Sequence, residues 1–106
     1  MKLDIKNSQA KGKRFVAIFT DDPEGAMVKG KSKKVNFGLK NPKLGTFIDH
    51  ADKKLRKNYI ARHEVREKKF YKDPMRAATL SRFILWGTSS SLKENIENYK
   101  NKYNLN

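Results

Sequence analysis

The 106-residue chain has no cysteine, three prolines, one tryptophan and only 11 acidic residues. Without cysteine it cannot form disulfides, use a catalytic thiolate or bind zinc through sulfur. No run reaches the ~20 apolar residues that a membrane span requires. The segment from Met1 to Lys6 lacks the apolar stretch of a secretory signal. We therefore expect one small domain in a cytosolic, nuclear or intravirion setting.

Positive charge is what the chain has in excess, with 25 Lys and Arg and a net charge of +14. Residues 1–72 carry 20 basic and 8 acidic side chains, whereas residues 73–106 carry 5 and 3. Charge of one sign destabilises a compact state through self-repulsion, and a polyanion that binds it removes this cost. The excess thus predicts binding to nucleic acid or another acidic surface. The alternative is a basic surface of the ribosomal or capsid-lining kind without a recognition role.

The first part of the chain predicts a flexible basic lead-in and a β-hairpin. We interpret residues 1–12 as the lead-in and residues 13–106 as a single domain. The run Arg14–Thr20 is apolar and rich in β-branched and aromatic residues, and Lys33–Leu39 alternates apolar and polar side chains. Turn-forming residues, Asp21–Gly25, lie between them. The hairpin is predicted over about 14–39 and needs a cover on its apolar face.

The remainder of the chain predicts helices over about 47–69, 74–86 and 91–103. Capping-box patterns occur at Thr46–Asp49 and Ser91–Glu94. Asp73-Pro74 is typical of a helix start, and Gly87 of a helix end. The predicted fold class is α+β, with an N-terminal β-hairpin packed on three α-helices in a single small domain.

Aromatic and aliphatic residues of the hairpin and the helices predict one shared core. We expect a stripe on the last helix to face this core rather than a partner helix. The stripe is Leu92, Ile96, Tyr99 and Tyr103. The predicted core cluster is Phe15, Phe37, Phe83, Leu85, Trp86 and Ile96.

The residues that could take part in catalysis or metal binding do not indicate an enzyme. His50 and His63 are 13 residues apart and match no common zinc spacing, and His63 is expected to pack in the core. Four carboxylates lie at positions that support helices rather than in a nuclease cluster. They are Asp49, Asp52, Glu64 and Glu67. We therefore predict no catalytic residue, no metal site and no cofactor.

The predicted binding site is a basic face made by the first helix and the lysine-rich edge of the second strand. It suits phosphate contacts without base readout. The predicted partner is nucleic acid, with DNA favoured over RNA, and no membrane is expected as a partner. The site residues are Lys31, Lys33, Lys34, Lys53, Lys54, Arg56, Lys57, Arg66, Lys68 and Lys69.

Three segments carry a resemblance to a known family. They read GKSKKVNFG at 30–38, RKNYIARH at 56–63 and SRFILW at 81–86. In this order and spacing the chain resembles small uncharacterised basic proteins found in giant DNA viruses and tailed bacteriophages. The resemblance implies a protein of the virion, and of the host cytoplasm or nucleus during infection. With the charge, it predicts a virion-associated, non-enzymatic protein that binds nucleic acid. The alternative is an auxiliary capsid protein that docks on acidic capsid surfaces without binding nucleic acid directly.

Overall fold

A computed structural model describes residues 1–20, 32–40 and 45–106, and in this part of the chain the fold is α+β, as predicted. None of the helices there is long and apolar enough to cross a membrane. A 3₁₀ turn, Lys68–Phe70, directly follows the helix Lys53–Glu67, and a π-helical turn, Ser81–Leu85, continues the helix Ala77–Leu80. The strands and α-helices are β1 (Lys2–Asn7), β2 (Lys13–Thr20), β3 (Ser32–Leu39), α1 (Phe47–His50), α2 (Lys53–Glu67), α3 (Ala77–Leu80) and α4 (Leu92–Lys102).

The sheet is antiparallel, with β2 between β1 and β3. Phe15 of β2 lies opposite Phe37 of β3, and Phe19 lies opposite Leu3 of β1. Because side chains alternate between the two faces of a strand, these residues share the face that the helices cover. The pairing of β2 with β3 confirms the two predicted strands, while the predicted turn residues Asp21–Gly25 lie outside the described residues.

The prediction of a flexible lead-in over 1–12 is wrong for residues 2–7, which form β1. Leu3 is fully buried, and Ile5 packs against the core two positions later. The outer edge of β1 is also paired, because the Leu3 N–H donates to the Asn106 carbonyl at 2.9 Å and the Asn106 N–H donates to the Met1 carbonyl at 2.9 Å. The alternation of Leu3 and Ile5 was the signal for this strand.

The predicted helix over 47–69 is interrupted after its first turn. The predicted capping box closes, with Thr46 and Asp49 exchanging hydrogen bonds. Ala51 then adopts a left-handed conformation, φ 55°, which ends α1. Asp52 restarts the helix as the N-cap of α2, since its side chain accepts from the Lys54 and Leu55 N–H groups.

The predicted helix over 74–86 begins later and changes its type. Asp73 accepts from the Met75 N–H at 2.9 Å in a turn, and α3 starts only after Arg76. Position 87, after the π-helical turn, requires glycine because a Cβ there would lie 2.5 Å from the Phe83 carbonyl oxygen. The helix predicted over 91–103 is confirmed by α4, with Ser91 as its N-cap.

The predicted core is confirmed. Phe15, Phe37, Leu85 and Trp86 are buried in one cluster, against which Phe83 and Ile96 pack. The stripe of α4 contributes to the same cluster, so the chain itself covers it. The sheet, α3, the π-helical turn and α4 thus form the body of the molecule, which presents α2 at its surface.

Candidate nucleic-acid interface

Helix α2 combines high positive charge with exposure. Its 15 residues include six basic and two acidic side chains, and none of them is buried. Leu55 and Tyr59 pack against the core and hold one side of the helix to the body. Eight of the residues of α2 are exposed, and the other seven are half-buried.

Four lysines lie together on the exposed side of α2 and its continuation. At about 100° per residue their positions fall within about 100° of one another around the helix axis. All four are exposed, and none of them forms a salt bridge within the described residues. We call this set the lysine arc; it consists of Lys53, Lys54, Lys57 and Lys68.

Arg66, which was predicted as part of the same face, lies elsewhere on the helix. It is nine residues from Lys57, which at about 100° per residue is half a turn away. Arg66 is exposed on the side of Arg62, so it cannot contact the same stretch of backbone as the lysine arc. Lys69 also has a separate environment, with its Nζ 5.2 Å from the centroid of the Phe70 ring.

Arg56 was predicted to contact phosphates, and the structure turns it inward. Its Nε donates to the Gly87 carbonyl at 2.7 Å and to the Trp86 carbonyl at 3.3 Å. Arg82 donates to the same Trp86 oxygen at 3.0 Å. Burial, and secondly the positive charge of Arg82, lower the pKa of Arg56. Arg56 thus satisfies carbonyls at the end of the π-helical turn.

The predicted lysines of β3 do not join the lysine arc. Lys33 pairs with Phe19 and Lys34 with Ile18, so the two lysines lie on opposite faces of the sheet. The β3 residues that line the cleft described below, beside α2, are Phe37, Gly38 and Leu39. At ~3.4 Å per residue Lys34 is ~10 Å from the first of them along the strand. Lys31 lies outside the described residues.

Three aromatic rings form a column between α2 and the body. The centroid of the Tyr59 ring lies 4.3 Å from that of Trp86 and 4.0 Å from that of His63. His63 Nδ1 lies 3.2 Å from Glu67 Oε1, which fixes the plane of the imidazole. Burial, followed by the negative charge of Glu67, raises the pKa of Tyr59 well above its ordinary value. The predicted packing and hydrogen bond of His63 are confirmed, but its place in the core is not, because its side chain is 37% exposed.

His50 also makes contacts within the fold. Its Nδ1 accepts from the Asp52 N–H at 2.8 Å, and its ring centroid is 5.5 Å from that of Trp86. Among the described residues no group of three or more His, Cys, Asp or Glu side chains could hold a metal ion.

A cleft between α2, the end of β3 and the π-helical turn was not predicted. Its volume is about 390 Å³, and its lining includes Lys13 and Arg62, which are both exposed. Neither residue was placed in the predicted site. Arg62 falls within the segment RKNYIARH, and Lys13 falls within the basic run Lys-Gly-Lys at 11–13. The sequence therefore indicated a binding role for each of them only weakly.

The model of one protein family matches residues 3–63, which extend from β1 to the middle of α2. The match covers more than half of the chain. The chain belongs to DUF5754, a family of unknown function. The matched region of this DUF5754 protein includes Arg56, Lys53, Lys54 and Lys57, whereas α3, the π-helical turn and α4 lie beyond it. No curated protein and no solved structure matches the chain significantly.

Proposed function

We propose that this protein is a non-enzymatic nucleic-acid-binding protein whose lysine arc contacts phosphates without regard to sequence. The observation that carries the proposal is the grouping of four exposed lysines, none of them in a salt bridge within the described residues, on one side of a surface helix. Charges that are not neutralised internally are free to displace the counterions condensed on a nucleic acid.

The residue types of the arc support contact with the backbone rather than with base edges. Lysine is a flexible point charge without the bidentate donor geometry by which Arg, Asn and Gln recognise bases. The arginines of α2 do not add such geometry. Arg56 is engaged with backbone carbonyls, Arg62 lies away from the arc at the cleft, and Arg66 lies half a turn from Lys57. Affinity for DNA should therefore depend on salt and not on sequence.

The salt dependence of binding to a duplex tests the proposal. Four phosphate contacts give a slope of log affinity against log salt of about −3.6. Replacing Lys53, Lys54 and Lys57 together by Ala should flatten the slope to about −0.9 and weaken unrelated duplexes equally. Fluorescence anisotropy at four or more salt concentrations, on two unrelated duplexes of equal length, measures both effects.

A matched variant separates the arc from the general charge of the protein. Lys2, Lys6 and Lys34 are exposed and lie on the open face of the sheet, according to the strand register. Replacing these three by Ala removes the same charge and should leave the slope within about one unit of the wild-type value. An unchanged slope in the α2 variant, or no binding of the wild-type protein at low salt, would overturn the proposal.

The viral context implied by the sequence resemblance makes a packaged genome the target that we propose. Mass spectrometry of purified virions, with copy numbers, tests this part separately. Saturable binding to empty capsids by a protein that ignores duplexes at low salt would instead favour docking on an acidic capsid surface.

A further inference from the structure

The cleft between α2, the end of β3 and the π-helical turn has the size of a small-ligand site. Its volume of about 390 Å³ falls within the range of about 300–1,000 Å³ that is common for such sites. Five segments of the chain line it, namely the start of β2, the end of β3, Gly45 and Thr46, α2, and the helical segment that follows Arg76. It is separate from the lysine arc, since Lys53, Lys54, Lys57 and Lys68 do not line it.

One wall of the cleft is the aromatic column. Tyr59, His63 and Trp86 all line the cavity, and the hydrogen bond to Glu67 holds the imidazole in place. The stacked rings fix one another, so the wall is already formed before a ligand binds. Both faces of Tyr59 are covered by its two neighbours, so a planar, polarisable group such as a nucleobase can stack on a ring at the end of the column or pack against the ring edges.

The floor is made of small side chains at an unusual backbone feature. Ala77 and Ala78 of α3 and Ser81, the first residue of the π-helical turn, line it. Their small size leaves the space that a larger residue would occupy, and the Ser81 hydroxyl adds a hydrogen-bonding group. Single π-helical turns occur frequently at functional sites.

Two basic side chains line the cleft. Lys13 of β2 and Arg62 of α2 are exposed and form no salt bridge within the described residues. Glu67 also lines the cleft, and its carboxylate lies against His63. A guanidinium and an ammonium suit a phosphate group. The cleft therefore combines an aromatic wall, small side chains and two exposed basic groups.

We propose that this cleft binds one unpaired nucleotide, with its base against the aromatic wall and its phosphate at Arg62 and Lys13. The inference deepens the proposed function, on which it rests, because it adds a preference for single strands to the sequence-blind contacts of the lysine arc. Bases in a duplex are stacked on one another and cannot enter a cleft. An unpaired base, in a strand or in a free nucleotide, can.

Trp86 gives a direct readout, because it lines the cleft and is the only tryptophan of the chain. Titration with adenosine monophosphate should change its fluorescence in a saturable manner. Arg62→Ala should weaken the apparent affinity about tenfold through loss of a charge-assisted contact. Arg66→Ala is the matched control, since Arg66 is exposed on the same helix, has the same charge and does not line the cleft. It should leave the affinity within about twofold.

Further ligands and variants distinguish the sources of the nucleotide. If a single-stranded oligo-dA binds more tightly than the mononucleotide, the ligand of the cleft is a nucleotide within a strand. If the affinities per nucleotide are equal, the ligand is a free nucleotide. Both results support the proposal. The Lys53, Lys54 and Lys57 variant should keep its affinity for the mononucleotide while it loses the salt dependence on duplex DNA. Failure of the proposed function therefore leaves this test intact.

Two results would overturn the inference. One is the absence of any Trp86 response to millimolar mononucleotide in a protein shown to be folded by circular dichroism. The other is an equal loss of affinity in Arg62→Ala and Arg66→Ala, which would mean that the nucleotide responds to the overall charge of α2 and not to this cleft.

Discussion

Arg14 and Asp49 form a bidentate ion pair that joins β2 to α1. The two guanidinium nitrogens of Arg14 donate to the two carboxylate oxygens at 2.7 Å and 2.6 Å. Oδ2 of Asp49 also accepts from the N–H and the hydroxyl of Thr46, each at 2.8 Å. One carboxylate thus completes the capping box of α1 and connects that helix to the sheet. The Arg14 hydrogen bond is the main reason why the pKa of Asp49 is lowered.

This pair predicts a specific loss of stability in acid. Because the pKa of Asp49 is lower in the folded than in the unfolded protein, its contribution is complete above about pH 5 and declines as the pH falls through the lower pKa of the folded state. Asp49→Ala should cost about 1–2 kcal/mol at pH 7 and less at pH 2. Urea denaturation from pH 7 to pH 2 measures this convergence. Glu97→Gln, at an exposed site on α4, is the control, and a gap between wild type and Asp49→Ala that stays constant would refute the prediction.

Arg56 and Lys57 are adjacent basic residues for which we predict opposite effects. Arg56→Ala should lower the free energy of unfolding by about 1–2 kcal/mol, because the Trp86 and Gly87 carbonyls lose a charged donor. Its salt slope on duplex DNA should not change. Lys57→Ala should alter stability by less than about 0.5 kcal/mol and flatten the slope by about 0.9. Reversed results for the two variants would show that Arg56 is a phosphate ligand.

Asn95 should be the most sensitive polar position of α4. It is fully buried. Its Nδ2 donates to the Ile84 carbonyl at 2.8 Å and to the Ser89 carbonyl at 2.7 Å, and its Oδ1 accepts from the Ser89 N–H at 3.1 Å. Asn95→Ala leaves these backbone groups unpaired and should cost about 3 kcal/mol in the free energy of unfolding. Asn98→Ala, at an exposed site on the same helix, should cost less than about 0.5 kcal/mol. Equal denaturation midpoints for the two variants would contradict this role.

Trp86 packs in both the core and the aromatic column. Trp86→Ala should cost about 3–5 kcal/mol, a large part of the stability of a small domain. Val65→Ala removes an apolar side chain that is 87% exposed and should change stability by less than about 0.5 kcal/mol. Thermal melting followed by circular dichroism compares the two. A cooperative transition of Trp86→Ala at the wild-type temperature is not compatible with the packing described.

The secondary structure was predictable where local chemistry decides it. The alternation of β3, the cap at Ser91 and the stripe of α4 are local patterns, and each is confirmed. β1 was missed because its short alternation is surrounded by polar residues and depends on pairing with β2 and with Asn106. The break at Ala51 was missed because an alanine in the left-handed conformation has no sequence signature.

In the candidate site, too, some features follow from the sequence and others only from the tertiary structure. The excess of Lys and Arg, the absence of cysteine and the basic character of α2 follow from the sequence alone, since they are matters of composition and helical period. Only the tertiary structure separated the basic residues by role. It directed Arg56 to the carbonyls of Trp86 and Gly87. It also brought Arg62 and Lys13 to one cleft. A charge is a property of a residue, whereas its availability to a ligand depends on what the folded chain packs beside it.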